Sequence, residues 1–370
     1  MNNQPLIEKA LRYQENAHLV IGEMMNDSIG LSDYLILPNQ VMYQPNYNGN
    51  GIQAVFSPKE SEYKSLDMSR NALSQFSNKH LIPGSYLSEL AWSNSEPWKK
   101  NLASIIMNKH SYNQEKKKVL IRAINNEIRG YLSNTYERYS SVEVFKDFIR
   151  IAQDHNAVIS NAYYNGINSY VEALVIDPVI ILGEEWLYGV QFRNSDFGGA
   201  ALDMRLMLIK LICTNGMTRN SLLRKIHRSS EIDSLGIELS QETLYHNTMA
   251  KKSLIKDFSN HIFNKDNILK EANMLERVGR IEIEPAEVIK KLPPLGATKN
   301  DIEEIQKLLM DNAVHTGVRN GGGVIRVANA VSFLANTVDD ADRIADYKDI
   351  SGKLINVYSE QLKQEDYIDI

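Results

Sequence analysis

The chain has 370 residues, 43% apolar and 24% charged, with a net charge of −5 and a single cysteine, Cys213. That length allows two or three compact units, one cysteine excludes an internal disulfide, and no apolar run nears the roughly 18–20 residues of a membrane-spanning helix. The opening "MNNQPLIEKALRYQENAHLV" lacks the basic head and apolar core of a signal peptide, so the host cytoplasm is the expected compartment.

Residues 1–60 read as a polar helix followed by short extended pieces, with "NYNGNGIQAVF" turning into a strand. Residues 65–110 read as a small helical unit. Pro83 and Pro97 stand at helix starts, where a missing N–H costs little. "VLIRAINNEIRGYLS" alternates about an Asn125–Asn126 turn and predicts a hairpin. Ser141 is an N-cap candidate for a helix whose Val142, Phe145, Phe148 and Ile149 recur at helical spacing.

Residues 158–213 are strand territory, broken at Asp177–Pro178 and turned at "RNSDFGG". For "ALDMRLMLIKLIC" a helical and a strand period compete. The Gly198–Gly199 turn straight after a strand favours an antiparallel return, with Cys213 an apolar filler at its end. A helix follows from Ser240, with Leu244, Ile255, Phe258 and Ile262 on its buried side. "KKLPPLGATKND" is a linker; beyond it come a helix, a glycine-rich turn, a helix and an acidic tail. The expected fold class is α+β: a central antiparallel sheet from 118–133 and 168–213, helices on one face, and a helical C-terminal region. The boundaries are an N-terminal extension over 1–64, a core over 65–291 and the C-terminal region over 292–370.

Charge is uneven. Residues 301–370 hold 13 Asp/Glu against 7 Lys/Arg. Lys99 to Arg129 holds eight Lys/Arg against two Glu, and Arg205 to Arg228 holds six with no acid. Such clusters either solvate a face or contact phosphates. The second reading selects Arg205, Lys210, Arg219, Arg224, Lys225 and Arg228 beside the hairpin, and Lys116, Lys117, Lys118 and Arg122 from the first cluster. Tyr136, with Tyr131, Tyr139 and Tyr188, is a stacking candidate for unpaired bases. The acidic tail could compete with DNA for this face.

Other chemistry has no pattern to rest on. None of the eight histidines pairs at zinc-site spacing, so no metal or other cofactor is expected. "RNGGGVIRVANA" (319–330) sets glycines before a helix, but no GxxxxGK[ST] or GxGxxG motif is present. A flexible turn is the plainer reading of it. No residue set nominates itself as catalytic.

Three segments resemble a phage/plasmid-like protein family, catalogued as a domain of unknown function on prophages and mobile elements. They are "LSQFSNKHLIPGSYLSEL", "VLIRAINNEIRGYLSNTYERYSS" and "LYGVQFRNSDFGGAALDMRLMLIKLICTNGM"; "VANAVSFLANTVDD" is a fainter echo. The resemblance spans roughly 65–340 and implies a mobile-element setting without an activity. The layout of a helix after 141, three strands and a long helix near 241 also resembles the core of phage single-strand annealing proteins, which assemble as rings or filaments. The expectation is a non-enzymatic single-stranded DNA binder in recombination, assembling as a homo-oligomer. The alternative is a structural or host-interaction protein without DNA contact.

Overall fold

The computed structural model describes residues 4–59, 62–112, 117–136, 140–210, 216–225, 240–310, 321–338 and 340–368. The chain is α+β, with two sheets rather than one. The first half runs α1 (Gln4–Ile29), β1 (Leu31–Ile36), β2 (Met42–Pro45), β3 (Ile52–Lys59), β4 (Glu62–Met68), α2 (Arg70–Lys79), α3 (Gly84–Ala91), α4 (Pro97–Tyr112), β5 (Val119–Ile124) and β6 (Glu127–Ser133). Its six strands are ordered β1-β5-β6-β4-β3-β2. All pair antiparallel except β4 with β6, which run parallel over Asp67↔Glu127 and Met68↔Ile128. The 118–133 hairpin therefore belongs to this mixed sheet, held between β1 and β4, and not to the sheet formed by 168–213. The boundary at residue 64 also runs through it, because β1, β2 and β3 are its members.

The second half runs α5 (Ser141–Asp154), β7 (Ala157–Tyr164), β8 (Asn168–Ile181), β9 (Glu184–Ser195), β10 (Leu202–Lys210), β11 (Gly216–Lys225), α6 (Gln241–Ile262), α7 (Lys265–Gly279), α8 (Pro285–Ile289), α9 (Lys299–Met310), α10 (Gly323–Leu334) and α11 (Ala341–Ile368). Five strands form an antiparallel meander between α5 and α6, not the three of the annealing-protein layout. Residues 202–210 are strand, so the period-two reading holds there. The predicted break at Asp177–Pro178 is a register irregularity between Val175 and Val179. The N-cap of α5 is Ser140, one residue before the one expected; Ser240 caps α6 as expected, accepting from Thr243 N at 3.2 Å.

Alternate residues of a strand share one core, although β5 and most of β8 and β9 are buried on both faces. In the first, Val119, Ile121 and Ala123 face α2, α3 and α4 with Leu73, Phe76, Leu87 and Met107. In the second, Val171, Ala173, Val190, Phe192 and Met204 face α5, whose Phe148 stacks on Phe192. The C-terminal helices extend this same core. Leu292, within the expected linker, is fully buried, as are Ile325, Leu354 and Ile355.

The "RNSDFGG" turn knits the halves together. Asn194 Nδ2 donates to Ser141 Oγ at 2.6 Å, and the Asp196 carboxylate accepts from Ser141 N at 3.1 Å, a favourable charge at the start of α5. From the first sheet, Arg122 Nη1 donates to Asp196 O at 2.6 Å and Gln75 Nε2 to Phe197 O at 2.6 Å. The Tyr136 hydroxyl donates to Ser195 O at 2.9 Å and accepts from Gly198 N at 3.1 Å.

A candidate nucleic-acid interface at one end of the six-stranded sheet

Of the residues chosen from sequence as phosphate or base contacts, three are internal. Arg122 has a side chain only 5% exposed, paired to Asp33 at 2.8 Å and bound to the Asp196 carbonyl. Arg205 is 15% exposed and lies between Asp203, at 2.6 Å, and Asp349 of α11. Tyr136 is buried in the interdomain turn, and Tyr131 and Tyr188 are core residues. These guanidiniums neutralise the protein's own carboxylates, and these rings have no face to offer a base.

The rest of the hairpin cluster does not converge. Lys210 lies opposite Trp186 near one end of β10, while Lys225 lies opposite Leu202 at the other. Eight strand residues separate these levels, about 26 Å. Arg224 pairs opposite Asp203, next to Lys225. Arg219 is a β11 residue between them. Lys116, Tyr139, Cys213 and Arg228 lie outside the described residues.

The first basic cluster does form a surface. Lys117 is exposed and Lys118 half-buried at the start of β5. The last turn of α4 brings exposed Lys109, His110 and Tyr112 to the same end of the sheet. Beside it sits the turn after α2: the His80 and His110 rings are 6.3 Å apart, and exposed Lys79 extends its Nζ to 3.5 Å from Leu132 O. Burial, the charge of His110 and the charge of Lys79 push His80 down to about 4, so its ring is neutral at pH 7, within 3.2 Å of the Tyr131 hydroxyl. The rim thus gathers four lysines and a histidine from three elements.

Helix α4 leads away from this rim and contains no acidic residue. Of its two N-terminal lysines, Lys99 pairs with Glu96 at 2.5 Å and sets its ammonium 5.8 Å from the centre of the Trp98 ring, and buried Lys100 points to the carbonyls of Asn46 and Gly49. Trp98, Ile105 and Tyr112, at seven-residue spacing, form one outward stripe and are 57%, 62% and 73% exposed. Fourteen residues of helix make that stripe about 21 Å long. Tyr47 stands beside it, donating its hydroxyl to Asn101 Oδ1 at 2.7 Å.

Sequence reasoning selected Lys117 and Lys118 but missed Lys79, Lys109, His110, Trp98 and Tyr112. The signal for the helix residues was present in "PWKKNLASIIMNKHSY", acid-free with aromatics at both ends. Nothing in the string said which face was outward.

The glycine-rich turn has a packing explanation. Gly322 N–H donates to Gly279 O at 2.7 Å. A Cβ on Gly322 would lie 1.8 Å from Ile281 O, and one on Gly323 2.1 Å from Ile283 O. Carbonyl oxygens crowd the start of α10, so the glycines serve close backbone approach rather than an anion. A cleft of about 140 Å³ between the halves is lined by Asp27, Arg122, Tyr164 and Asp196, and neighbours outside the lining hold its charges: Arg122 pairs with Asp33, and Asp27 accepts from Arg129 at 2.5 Å and, within the lining, from Tyr164 at 2.8 Å. Among the described residues, no group of three or more His, Cys, Asp or Glu is placed to hold a metal ion, and no helix is long and apolar enough to cross a membrane.

The chain matches no known protein-family model, no curated protein and no solved structure.

Proposed function

We propose that this protein is a non-catalytic binder of single-stranded nucleic acid, with the strand lying along the outer stripe of α4 and its phosphates on the rim. One observation carries the reading: an acid-free helix exposes Trp98 and Tyr112 on one stripe and ends among Lys79, Lys109, His110, Lys117 and Lys118. Aromatic faces stack on unpaired bases of any sequence, and lysines track the backbone. The site differs from the β10–β11 surface that composition alone favours. A phage or plasmid setting rests on the motif resemblance; a role in recombination or strand annealing rests on the helix–sheet–helix order alone, because the sheet has five strands and not three.

Binding of a fluorescent oligothymidylate tests this. Affinity should fall steeply with salt, as released counterions require, and Lys109→Ala with Lys117→Ala should weaken it and flatten the salt slope. Arg205→Ala is not a usable control, because that guanidinium holds α11 to the sheet. Of the three tryptophans, Trp186 is buried and Trp92 half-buried. Quenching of tryptophan emission on binding should therefore vanish in Trp98→Phe. Salt-independent or absent binding would sink the proposal.

A second reading, an interaction protein without nucleic-acid contact, is favoured by Ile105 at the middle of the stripe. It extends the aromatic stripe into a continuous apolar patch of the kind that docks proteins. Loss of a partner in Ile105→Asp, with no oligonucleotide binding by the parent chain, would establish it.

A further inference from the structure

Helix α2 ends in a Schellman turn. Ile82 N–H bonds to the Ser77 carbonyl at 2.9 Å and Leu81 N–H to that of Asn78 at 3.4 Å. This sets Leu81 just past the cap, at φ 55°. Glycine or asparagine ordinarily fills that position, because a Cβ in the left-handed region crowds the following carbonyl. Among the described residues, two of the other three non-glycine residues in this conformation are Asn125 and Asn156. The third, Leu182, packs its side chain over Gly279, and that contact accounts for a leucine there. Leu81 has no such compensation. It is 91% exposed, the highest value among the exposed large hydrophobic residues that the structure describes. Neither the turn nor the core calls for leucine at this point.

Its surroundings indicate what it meets. Leu81 follows Lys79 and His80, and His80 abuts His110 of α4. The leucine therefore follows the rim lysine Lys79 by two residues, on the turn that carries the His80–His110 contact. A partner that accepts both is a polyanion with apolar faces between its charges.

We infer that Leu81 is an apolar contact for unpaired bases: phosphates sit on the rim lysines while the leucine covers a base face that duplex stacking would hide. This rests on the nucleic-acid reading of the same surface and adds to it that the ligand is recognised through its bases as well as its charge. Apolar side chains pressed against base faces are a known recognition device.

The test compares the parent chain with Leu81→Asn and Leu81→Gly on two probes, a fluorescent oligothymidylate and an abasic strand of the same length. Both variants should keep or raise the melting temperature, since they relieve the turn. Both should bind oligothymidylate about tenfold more weakly, the fold-change that one leucine's apolar surface supports, and bind the abasic strand unchanged. Equal weakening on both probes, or a lowered melting temperature, would overturn the inference. If the leucine variants bind as the parent does while Lys109→Ala with Lys117→Ala does not, the leucine contact is refuted and the nucleic-acid reading stands. If the parent binds neither strand, both fall.

Discussion

Two buried carboxyls illustrate how opposite environments act on one side-chain type. Burial would raise Asp301, but bonds from Arg343 at 2.5 Å, Thr298 and Tyr347 outweigh it and hold the group at about 2. Burial also raises Asp196, and there Arg122 and Ser141 fail to compensate, so its value stays above the usual carboxylate range. The pH consequences have opposite sign. Asp301 titrates lower in the folded chain than in the unfolded one, near 3.9. The stability it confers is complete above that unfolded value and drains as pH falls toward about 2. Asp196 titrates higher when folded, so its contribution is complete at acid pH and is lost as pH rises through its raised value. Asp301→Asn should therefore lower the melting temperature at pH 6 and make it less sensitive to acid between pH 4 and pH 2. Asp196→Asn should be tolerated at pH 7, because the amide still accepts from Ser141 and no longer buries a charge. Melting curves across that range check both; a parallel acid limb in Asp301→Asn would refute the assignment.

At the scale of elements, the free edge of the first sheet shows how a helix becomes indispensable. β2 is one of the two edge strands, with β1 at the other side, and an open edge invites pairing with other chains. Asn108 of α4 closes the β2 edge. Its Oδ1 accepts from Tyr43 N at 2.8 Å, and its Nδ2 donates to Tyr43 O at 2.8 Å. The same helix can then bury Ala103 and Met107 inward while Trp98, Ile105 and Tyr112 remain outside. Asn108→Ala strands a backbone donor and acceptor and should cost about 2 kcal/mol; Asn108→Asp keeps only the acceptor. The measurements are urea unfolding and light scattering, with more aggregation expected of Asn108→Ala than of the parent chain. This staple also marks a limit of the sequence. The hairpin at Asn125–Asn126, the strand at 202–210 and the helices after Ser140 and Ser240 were legible because turn chemistry, period and caps are local signals. The partners of each strand were not: β4 meets β6 in parallel across almost sixty residues, and no local period encodes that. The candidate site fared the same way. Lys117 and Lys118 were visible as charge, but Arg122, the fourth residue of β5, carries the same charge and faces Asp33. The Tyr136 ring likewise reads as a surface aromatic until the 194–199 turn closes over it.

For the whole molecule, the question is whether the acidic C-terminal segment is a movable screen or part of the fold. α11 runs Ala341–Ile368, and its early turns cross the meander face opposite α5. There Lys348 meets buried Glu172 at 2.5 Å, and Asp349 holds Arg205. Glu172 is in turn accepted into a cluster with Tyr170 and Gln191. A charge pair buried this way is costly to break on one side. Further along, Leu354, Ile355, Tyr358 and Ser359 are buried against the C-terminal core. A helix anchored at both levels does not lift to uncover a binding face, and the rim of the candidate site lies on the other sheet. Deleting 355–370 should therefore unfold the second half rather than raise affinity for nucleic acid. Removing Ile355 and Tyr358 alone forfeits about 2–5 kcal/mol each by the usual large-to-small cost, which is much of a domain's margin. Limited proteolysis should show new cleavage within 157–225 in the truncated chain, with the 31–133 sheet degraded more slowly. A truncated protein that melts as the parent does and binds oligothymidylate more tightly would restore the tail as a regulatory screen.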